Sequence, residues 1–417
     1  MIFVKDALKT ILDSVKILES ETTRLSKGLD RVLTEDIYSN TNIPQFDNSA
    51  MDGYALLAKD TKGASKDKPK VLEVVDDIKA GDVPKRVVKG GEAIRIMTGA
   101  VMPPGADSVI MVEYTDKIKN QRSRIRNKEF VKIFKEVKFA DNVRKAGEDI
   151  KKGELVIPEG TLLKSAHIGV LASLGKANIK VTRKPKVAIL ATGDEVIDVD
   201  EKLEPGKLRN SNTYALYSQV IKSGGMPKNL GIAKDNPLQL EKKIKQGLGC
   251  DLILTSGGVS VGDYDLVKFI LAKMGTNIKF WQVAMRPGKP LVFGTISVKH
   301  LGGKRIPVFG LPGNPVSSMV SFEVFVRPVI LKMLGEEQDE RKVVDAVLEE
   351  DLKKKKGLRY FLRAKTRWED GIYLTRTTGP QGSGILKSFV LANSLIILPE
   401  EEEFVEKGRR VTVRFLD

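Results

Sequence analysis

Cysteine and histidine are scarce in this sequence. Its 417 residues include one cysteine, Cys250, and two histidines, His167 and His300. One cysteine excludes an internal disulfide framework, and so few histidines leave a zinc site or a Ser-His-Asp or Cys-His centre without support. Cys250 precedes a short apolar run and is predicted to be a buried structural thiol. Any metal is expected to be a hard cation held by carboxylates, with Mg²⁺ first.

Long apolar runs are also absent. No stretch approaches the roughly 20 apolar residues that span a bilayer. The sequence opens with four apolar residues and quickly becomes charged, at Lys5 and Asp6. It lacks the basic region, apolar core and cleavage site of a signal peptide. These absences predict a cytoplasmic protein without a membrane partner.

Positive charge is in excess. The chain has 70 Lys and Arg against 54 Asp and Glu, a net charge of +16. The two signs are interspersed, and the short run Lys354, Lys355 and Lys356 is predicted to be a solvated turn. This balance is compatible with an anionic small ligand. It is weak evidence for nucleic acid, and no nucleic-acid partner is predicted.

The length of the chain suggests about three domains. Its hydrophobic periodicity changes several times, as expected for more than one kind of fold. Residues 6–18 carry the apolar face of an amphipathic helix, and residues 44–139 hold short β-like runs between turns. From residue 185, apolar strands alternate with helices, which predicts a mostly parallel α/β sheet covered on both faces. After Gly335 the pattern predicts a small β-barrel or sandwich.

A glycine-rich turn follows one of the buried strands. Residues 255–260 read Thr-Ser-Gly-Gly-Val-Ser and precede a helix. Gly257 and Gly258 let the backbone approach a ligand, and their amides can cradle a phosphate. A plain structural turn is the alternative. Asp263 and Asp265 follow, and they either cap the helix or hold Mg²⁺ beside a phosphate.

Other loops are expected at the same sheet edge, because ligands of open α/β sheets bind at the carboxyl ends of the strands. Residues 310–317 form a rigid Pro-Gly turn between a strand and a helix. Arg286 and Lys289 flank a tight turn and could cradle an oxyanion. Asp194 and Glu195 end the first strand of the unit, where they either face the crevice or are simply solvated.

These runs together resemble the molybdopterin molybdenumtransferase family, called MoeA in bacteria and represented in animals by the gephyrin E domain. They occur in one order over nearly the whole chain. They include a polar, turn-rich run that begins at Asp47 and a loop at residues 95–100, neither of which suggests a reaction by itself. The matching runs are residues 46–55, 95–100, 146–149, 192–195, 255–265, 286–290, 310–317 and 381–383.

The resemblance, together with the pattern changes, implies a multidomain α/β plus β protein that forms an elongated homodimer. Residues 1–45 and 141–183 would form a dimerising, mixed α/β N-terminal domain, and residues 46–140 a β-rich insertion. Residues 184–335 would form a molybdopterin-binding α/β domain similar to MogA and MoaB, and residues 336–417 a small β-barrel.

The resemblance also implies roles for single residues. Asp52 and Thr98 would reach a site shared across the dimer, and Arg286 stands where many relatives have lysine. The implied catalytic residues are Asp52, Thr98, Asp149, Glu195, Asp235 and Asp265. The implied metal ligands are Asp235, Asp263 and Asp265. The implied substrate-binding residues are Ser256, Gly257, Gly258, Ser260, Arg286, Lys289, Pro312, Gly313, Asn314, Pro315, Arg363 and Ser383.

The reaction implied by the resemblance is the last step of molybdenum cofactor biosynthesis. The enzyme would take adenylylated molybdopterin, insert molybdate and release AMP with Mg²⁺ present, and an adenylyltransferase is a candidate partner. Three alternatives stay open at this point: an adenylyltransferase with the same α/β unit, insertion of tungstate instead of molybdate, and a non-catalytic binding or scaffold protein.

Overall fold

The computed structural model describes residues 1–118, 128–258, 266–298, 303–336 and 341–416. The chain divides into two compact units. One consists of Met1–Thr34, Leu162–Ser165 and Asn178–Asp417, and the other of Glu35–Thr161 and Ala166–Ala177. The finer division into four domains stays a prediction. Within the described ranges, no helix is both long enough and apolar enough to cross a membrane.

The first unit begins with an amphipathic helix that is shorter than the apolar spacing predicts. Helix α1 (Val4–Asp13) buries Ile11 and two other apolar side chains one turn apart. It ends before residue 18 because the Leu18 amide donates to the Met333 carbonyl (2.9 Å), outside any helical pattern. The chain continues extended into β1 (Ser20–Arg24).

The second unit is mostly β, as the short apolar runs predict. Six strands form one sheet in the order β7-β4-β6-β5-β9-β8, while β10 pairs with β3 and β11 with β2. The elements are β2 (Ile37–Tyr38), β3 (Asn48–Ser49), β4 (Gly53–Leu56), β5 (Lys70–Ile78), β6 (Glu92–Ile96), β7 (Ser108–Met111), β8 (Thr115–Ile118), β9 (Glu129–Ile133), β10 (Val143–Arg144), β11 (Leu155–Ile157) and α2 (Ser165–Ser173).

The first unit resumes with β12 (Asn178–Thr182), which pairs antiparallel with β1, and then forms a six-stranded sheet in the order β16-β13-β17-β21-β20-β18. The first four strands are parallel, and β20 and β18 extend the sheet antiparallel. The elements are β13 (Lys186–Thr192), β14 (Val196–Ile197), β15 (Leu208–Arg209), α3 (Ser211–Lys222), β16 (Met226–Ala233), α4 (Pro237–Gly247), β17 (Leu252–Ser256), α5 (Leu266–Lys273), β18 (Asn277–Gln282), β19 (Met285–Arg286), β20 (Pro290–Val298) and β21 (Lys304–Leu311).

Both faces of this sheet are covered. Along β13, Val187 and Ile189 pack into one apolar cluster, whereas Ala188 and Leu190 pack into another. A strand buried on both faces reads as a continuous apolar run, which is why residues 186–190 predict it. Cys250 is buried beside the start of β17, as predicted, and burial raises the pKa of its thiol.

The helix predicted over residues 316–334 is interrupted. It consists of α6 (Pro315–Ser321), a π-helical turn (Phe322–Val326) and α7 (Arg327–Leu334). Pro328 lacks an amide hydrogen and would clash with the carbonyl four residues earlier, so the preceding turn widens.

A closed five-stranded barrel follows. Its strands run in the order β24-β25-β22-β28-β26 and close by pairing of β26 with β24. Strand β19 adds to β24 in parallel, with Arg286 opposite Tyr360, and β23 pairs with β27. The elements are β22 (Val343–Leu348), β23 (Leu352–Lys353), β24 (Arg359–Glu369), β25 (Ile372–Thr377), α8 (Lys387–Val390), β26 (Ser394–Leu398), β27 (Phe404–Val405) and β28 (Arg410–Phe415).

A buried carboxylate ties the beginnings of three strands together. Asp251 has a side chain only 4% exposed and accepts from Arg183 Nη1 (2.6 Å) and Nη2 (2.7 Å). Lys304 Nζ (2.7 Å) and the Lys186 amide (2.9 Å) also donate to it. Burial opposes ionisation, but these donors outweigh it and lower the pKa of Asp251 to about 2.

We expect Asp251→Asn to lower the free energy of unfolding by about 2 kcal/mol at pH 7. The folded pKa lies below the ordinary 3.8, so the stabilisation is present above that value and is lost as the pH falls towards about 2. Urea denaturation followed by the intrinsic fluorescence of the two tryptophans, Trp281 on β18 and Trp368 on β24, measures it. Asp345→Asn, at an exposed position of β22, is the control. Equal midpoints for the two variants at pH 7 would contradict the assignment.

Candidate active site

The glycine turn lies at the carboxyl end of β17 against the end of β13. Gly257 has a φ of +95° and Gly258 a φ of +65°, both in the left-handed region that favours glycine. A Cβ on Gly257 would lie 2.5 Å from the Thr192 carbonyl oxygen, and one on Gly258 would lie 2.9 Å from Thr192 Oγ1. The structure therefore requires glycine at both positions, for conformation and for space.

Asn212, near the start of α3, links this turn to the proline loop that follows β21. Its Nδ2 donates to Ser256 Oγ (2.8 Å) and to the Gly313 carbonyl (2.7 Å). Its Oδ1 is buried and accepts no hydrogen bond from the described residues. Asn212 was not among the residues predicted for the site. Its only sequence signal, a helix-start position after the capping Asn210, is shared with many structural asparagines.

The proline loop touches both the glycine turn and the barrel. A Cβ on Gly313 would lie 3.6 Å from Gly257 Cα, so the two backbones are in contact. The Val316 amide donates to the Ser383 carbonyl (3.1 Å). Of the residues predicted here, Pro312 is buried, Pro315 begins α6, and Asn314 precedes it without capping it through its side chain.

Acidic groups flank the same sheet edge. The Asp235 amide donates to Asp194 Oδ1 (3.1 Å), and the Asp194 amide donates to Asp235 Oδ2 (3.4 Å). The Glu195 carboxylate folds back over Gly193, where a Cβ would lie 2.5 Å from Oε2. Lys207 Nζ donates to the Asp194 carbonyl (3.0 Å). The predicted Glu195 and Asp235 thus lie with Asp194 on neighbouring loops.

A cationic cavity of about 540 Å³ lies where β19 meets the barrel. Arg286 Nη1 is 3.5 Å from Tyr360 Oη, and its guanidinium carbon lies 5.6 Å from the centre of that ring. Lys289 is exposed on the same loop but does not line the cavity. The cationic lining residues are Arg286, Lys353, Lys354, Lys355 and Arg363.

Arg363 is the unusual member of this wall, because its side chain is fully buried on a barrel strand. Nε donates to Ser388 Oγ (3.0 Å) and Nη2 to the Gly382 carbonyl (3.0 Å). Nη1 donates to none of the described residues. Burial lowers the pKa of Arg363 to about 10. The guanidinium is therefore still charged at neutral pH.

The lysine run beside the cavity corrects the prediction of a solvated turn. Lys355 and Lys356 are exposed, as predicted, but Lys354 is half-buried. Its Nζ donates to the carbonyls of Glu400 (3.3 Å) and Glu402, and burial lowers the pKa of this lysine. The prediction fails at Lys354 because sequence charge alone does not show that the adjacent β23 pairs with β27.

In the second unit, Asp52 and Thr98 are brought together. Asp52 Oδ1 accepts from the Thr98 amide (2.7 Å) and from its Oγ1 (2.8 Å), and these two bonds lower the pKa of the aspartate. Asp149 is exposed in the same unit. Ser260, Asp263 and Asp265 lie outside the described residues.

Three successive parts of the chain match described families. Residues 2–175 match the MoeA N-terminal region (domain I and II), residues 188–332 a probable molybdopterin binding domain, and residues 345–416 the MoeA C-terminal region (domain IV). Molybdopterin molybdenumtransferases of Bacillus subtilis and Nostoc sp. are each 37% identical, covering 98% of this chain and 93% of their own lengths. The chain belongs to the molybdopterin molybdenumtransferase family.

Solved structures agree with this membership. Two structures of the molybdopterin biosynthesis MoeA protein from Pyrococcus horikoshii have TM-scores of 0.81 and 0.79 at 33% and 32% identity. They cover 100% of this chain, which covers 99% and 100% of theirs. The predicted family, its fold with a C-terminal barrel, and the assignment to enzymes of molybdenum cofactor biosynthesis are confirmed. Full-length likeness favours the transferase over the adenylyltransferase and scaffold alternatives.

We expect Gly257→Ala to lower the free energy of unfolding by more than the strain of an alanine in the left-handed region accounts for. Gly275→Ala is the matched control: its φ is +76°, but a Cβ there meets nothing within 4 Å. The control should lose about 1–2 kcal/mol from left-handed strain. Gly257→Ala should lose more, because the methyl group pushes against Thr192. Equal losses of unfolding free energy in urea denaturation would show that the contact does not constrain the turn.

Proposed function

We propose that this enzyme inserts molybdate into adenylylated molybdopterin and releases AMP. The observation that carries the proposal is the cationic cavity around Arg363. It lies in the same unit as the strand-end cleft, and the Val316–Ser383 hydrogen bond connects the cleft loop to the barrel loop beside the cavity.

The cavity has the chemistry of an oxyanion site. Arg363 has a permanent charge and an unused Nη1 donor, while Arg286 contributes a second guanidinium at the rim. Tyr360 Oη accepts from the Lys355 amide (3.1 Å). Its own hydroxyl hydrogen therefore stays available to an oxygen of a tetrahedral oxyanion. Molybdate and tungstate share this charge and shape, so both are candidate substrates.

The cleft has the chemistry of a phosphate site with a magnesium ion beside it. Gly257 and Gly258 allow close approach of a phosphate, and the Asp194 and Asp235 carboxylates are oxygen ligands of the kind that Mg²⁺ takes. Among the described residues no three acidic, histidine or cysteine side chains form a metal cluster. Two carboxylates nevertheless fit, because Mg²⁺ is commonly held by one or two carboxylates together with substrate phosphates and water. When bound, the ion would neutralise charge on the phosphoanhydride.

The chain's own residues would then work mainly by positioning and electrostatics. The glycine turn and proline loop, clamped by Asn212, hold the phosphate end of the substrate. Arg286 and Arg363 hold the oxyanion and offset its repulsion from the anionic dithiolene. Asp52, kept ionised by Thr98, would complete a site shared across a homodimer. The adenylylated substrate has to be supplied by an adenylyltransferase, which makes such an enzyme the expected partner.

Arg363→Gln should weaken molybdate binding by about 10- to 100-fold, because charge-assisted hydrogen bonds contribute about 1.5–3 kcal/mol. Titration calorimetry with molybdate, and with tungstate as competitor, measures the change. Arg367→Gln is the matched control, because Arg367 is on the same strand but pairs with Glu349 at the surface. Arg286 is exposed, so Arg286→Gln provides a second test of molybdate binding to the cavity if Arg363→Gln does not fold. Unchanged affinity in both Arg363→Gln and Arg286→Gln would exclude the cavity as the oxyanion site.

Asp235→Asn should raise the Mg²⁺ concentration needed for half-maximal AMP release by about tenfold, as loss of a metal ligand commonly does. Adenylylated molybdopterin and molybdate are supplied, and AMP is quantified as Mg²⁺ is varied. Asp200→Asn, an exposed carboxylate a few residues beyond Glu195, is the control. An identical Mg²⁺ dependence in the two variants would remove Asp235 from the metal site.

A further inference from the structure

A second cationic cleft, of about 770 Å³, lies at the opposite edge of the α/β sheet. Its wall includes the beginnings of β13 and β21, whereas the substrate cleft lies at their ends. Strand β13 has seven residues and rises about 3.3 Å per residue, so about 20 Å separates the two edges. The cationic lining residues are Lys27, Arg31, Arg183, Lys184, Lys186 and Lys304.

The two carboxylates in this cleft are already neutralised. Asp251 is held by Arg183 and Lys304, and its pKa of about 2 keeps it ionised. Glu21 pairs with Arg31. Glu19, beside the cleft, pairs with Arg183 Nε (2.7 Å). Six cations of the lining against these three carboxylates leave three positive charges.

The three surplus charges are lysines. Lys27, Lys184 and Lys186 all line the cleft, and the part of the chain that the structure describes gives none of them an ion pair. Both acids of the lining are already occupied, so these lysines have no counter-charge within the cleft. Like charges held this close repel one another, and an anion in the cleft would relieve the repulsion.

Arg31 adds a buried charge to this wall. Its side chain is only 6% exposed. Nη2 donates to Glu21 and to the Thr182 carbonyl (2.7 Å), whereas Nε donates to none of the described residues. A guanidinium fixed by its neighbours loses little rotamer freedom on binding an anion. Together, one preorganised arginine and three lysines without ion pairs among the described residues form a site rather than a diffuse basic surface.

We propose that this cleft binds a small polyphosphate anion, such as pyrophosphate or the phosphate chain of a nucleotide. Phosphoryl groups carry about −1.5 to −2 charges each, so two of them are enough to balance the three surplus charges. The volume lies within the range of about 300–1,000 Å³ usual for small-ligand pockets. The concave shape favours a compact ligand over a nucleic-acid strand, which needs an extended basic track.

Titration calorimetry with pyrophosphate, on the full-length protein at low ionic strength, tests the proposal. We expect one equivalent to bind, with affinity that falls as salt is added. The double variant Lys184→Glu, Lys186→Glu should bind at least about tenfold more weakly, since it replaces two attractive charges by two repulsive ones. Lys9→Glu, Lys242→Glu makes the same charge change on exposed helix positions outside the cleft and should retain binding. Thermal denaturation of each variant confirms that it is folded.

Arg286→Gln separates this cleft from the oxyanion cavity. Pyrophosphate binding that survives Arg286→Gln but not the Lys184/Lys186 double variant supports the proposal. Binding that Arg286→Gln abolishes and the double variant leaves intact would place pyrophosphate in the other cavity and overturn it. Absence of binding to the unmodified protein, or equal weakening in both double variants, would overturn it as well. A single-stranded oligonucleotide that binds tightly where pyrophosphate does not would point to nucleic acid instead.

Discussion

Strands β13, β17 and β21 pair in parallel and are buried on both faces, and this pairing determines where every loop of the cleft can lie. Parallel strands end at one edge, so the acidic loop, the glycine turn and the proline loop meet without any of them being adjacent in sequence. Their contact is close because Gly257 and Gly313 carry no side chain between the two backbones. Asn212 then fixes their spacing with a single amide group. A substitution that disturbs the sheet would therefore shift these loops and, through them, change the chemistry of the cleft.

Sequence patterns predict the parts of this arrangement that depend on local physics. A doubly buried strand has to be apolar throughout, a backbone in close contact has to be glycine, and Pro315 has to stand in the first helical turn. The interruption of the helix after Asn314 was missed although Pro328 marks it locally, because the apolar spacing alone does not register a proline. The clamp by Asn212 was missed because it depends on what approaches from elsewhere in the fold. Burial of Arg363 was likewise invisible: an arginine in a β-strand is equally compatible with a solvated face. Recognition of the family indicated that residue, whereas periodicity did not.

The net charge of +16 is better understood from its distribution than from its sum. Exposed cations such as Lys117 and Lys145 pair with carboxylates and add nothing to this excess, and such surface pairs contribute little to stability. Among the described residues, cations are concentrated between β19 and the barrel and again at the beginnings of the strands. Both are concave and both contain a buried arginine. The sequence-based expectation of a small anionic ligand therefore applies to two separate places.

Asp251 and Arg363 show two different solutions to the same electrostatic problem. A buried charge is costly unless it is compensated, and Asp251 has two cations and a backbone amide around it. Arg363 has only neutral acceptors among the described residues, and its lowered pKa reflects that deficit. Compensation of the first charge is built into the fold and contributes to stability at neutral pH without any ligand. The charge of Arg363 is compensated only when an anion binds, so anion binding also stabilises the barrel. A protein with such an uncompensated guanidinium is less stable without its anion, and its free energy of unfolding rises when the substrate binds.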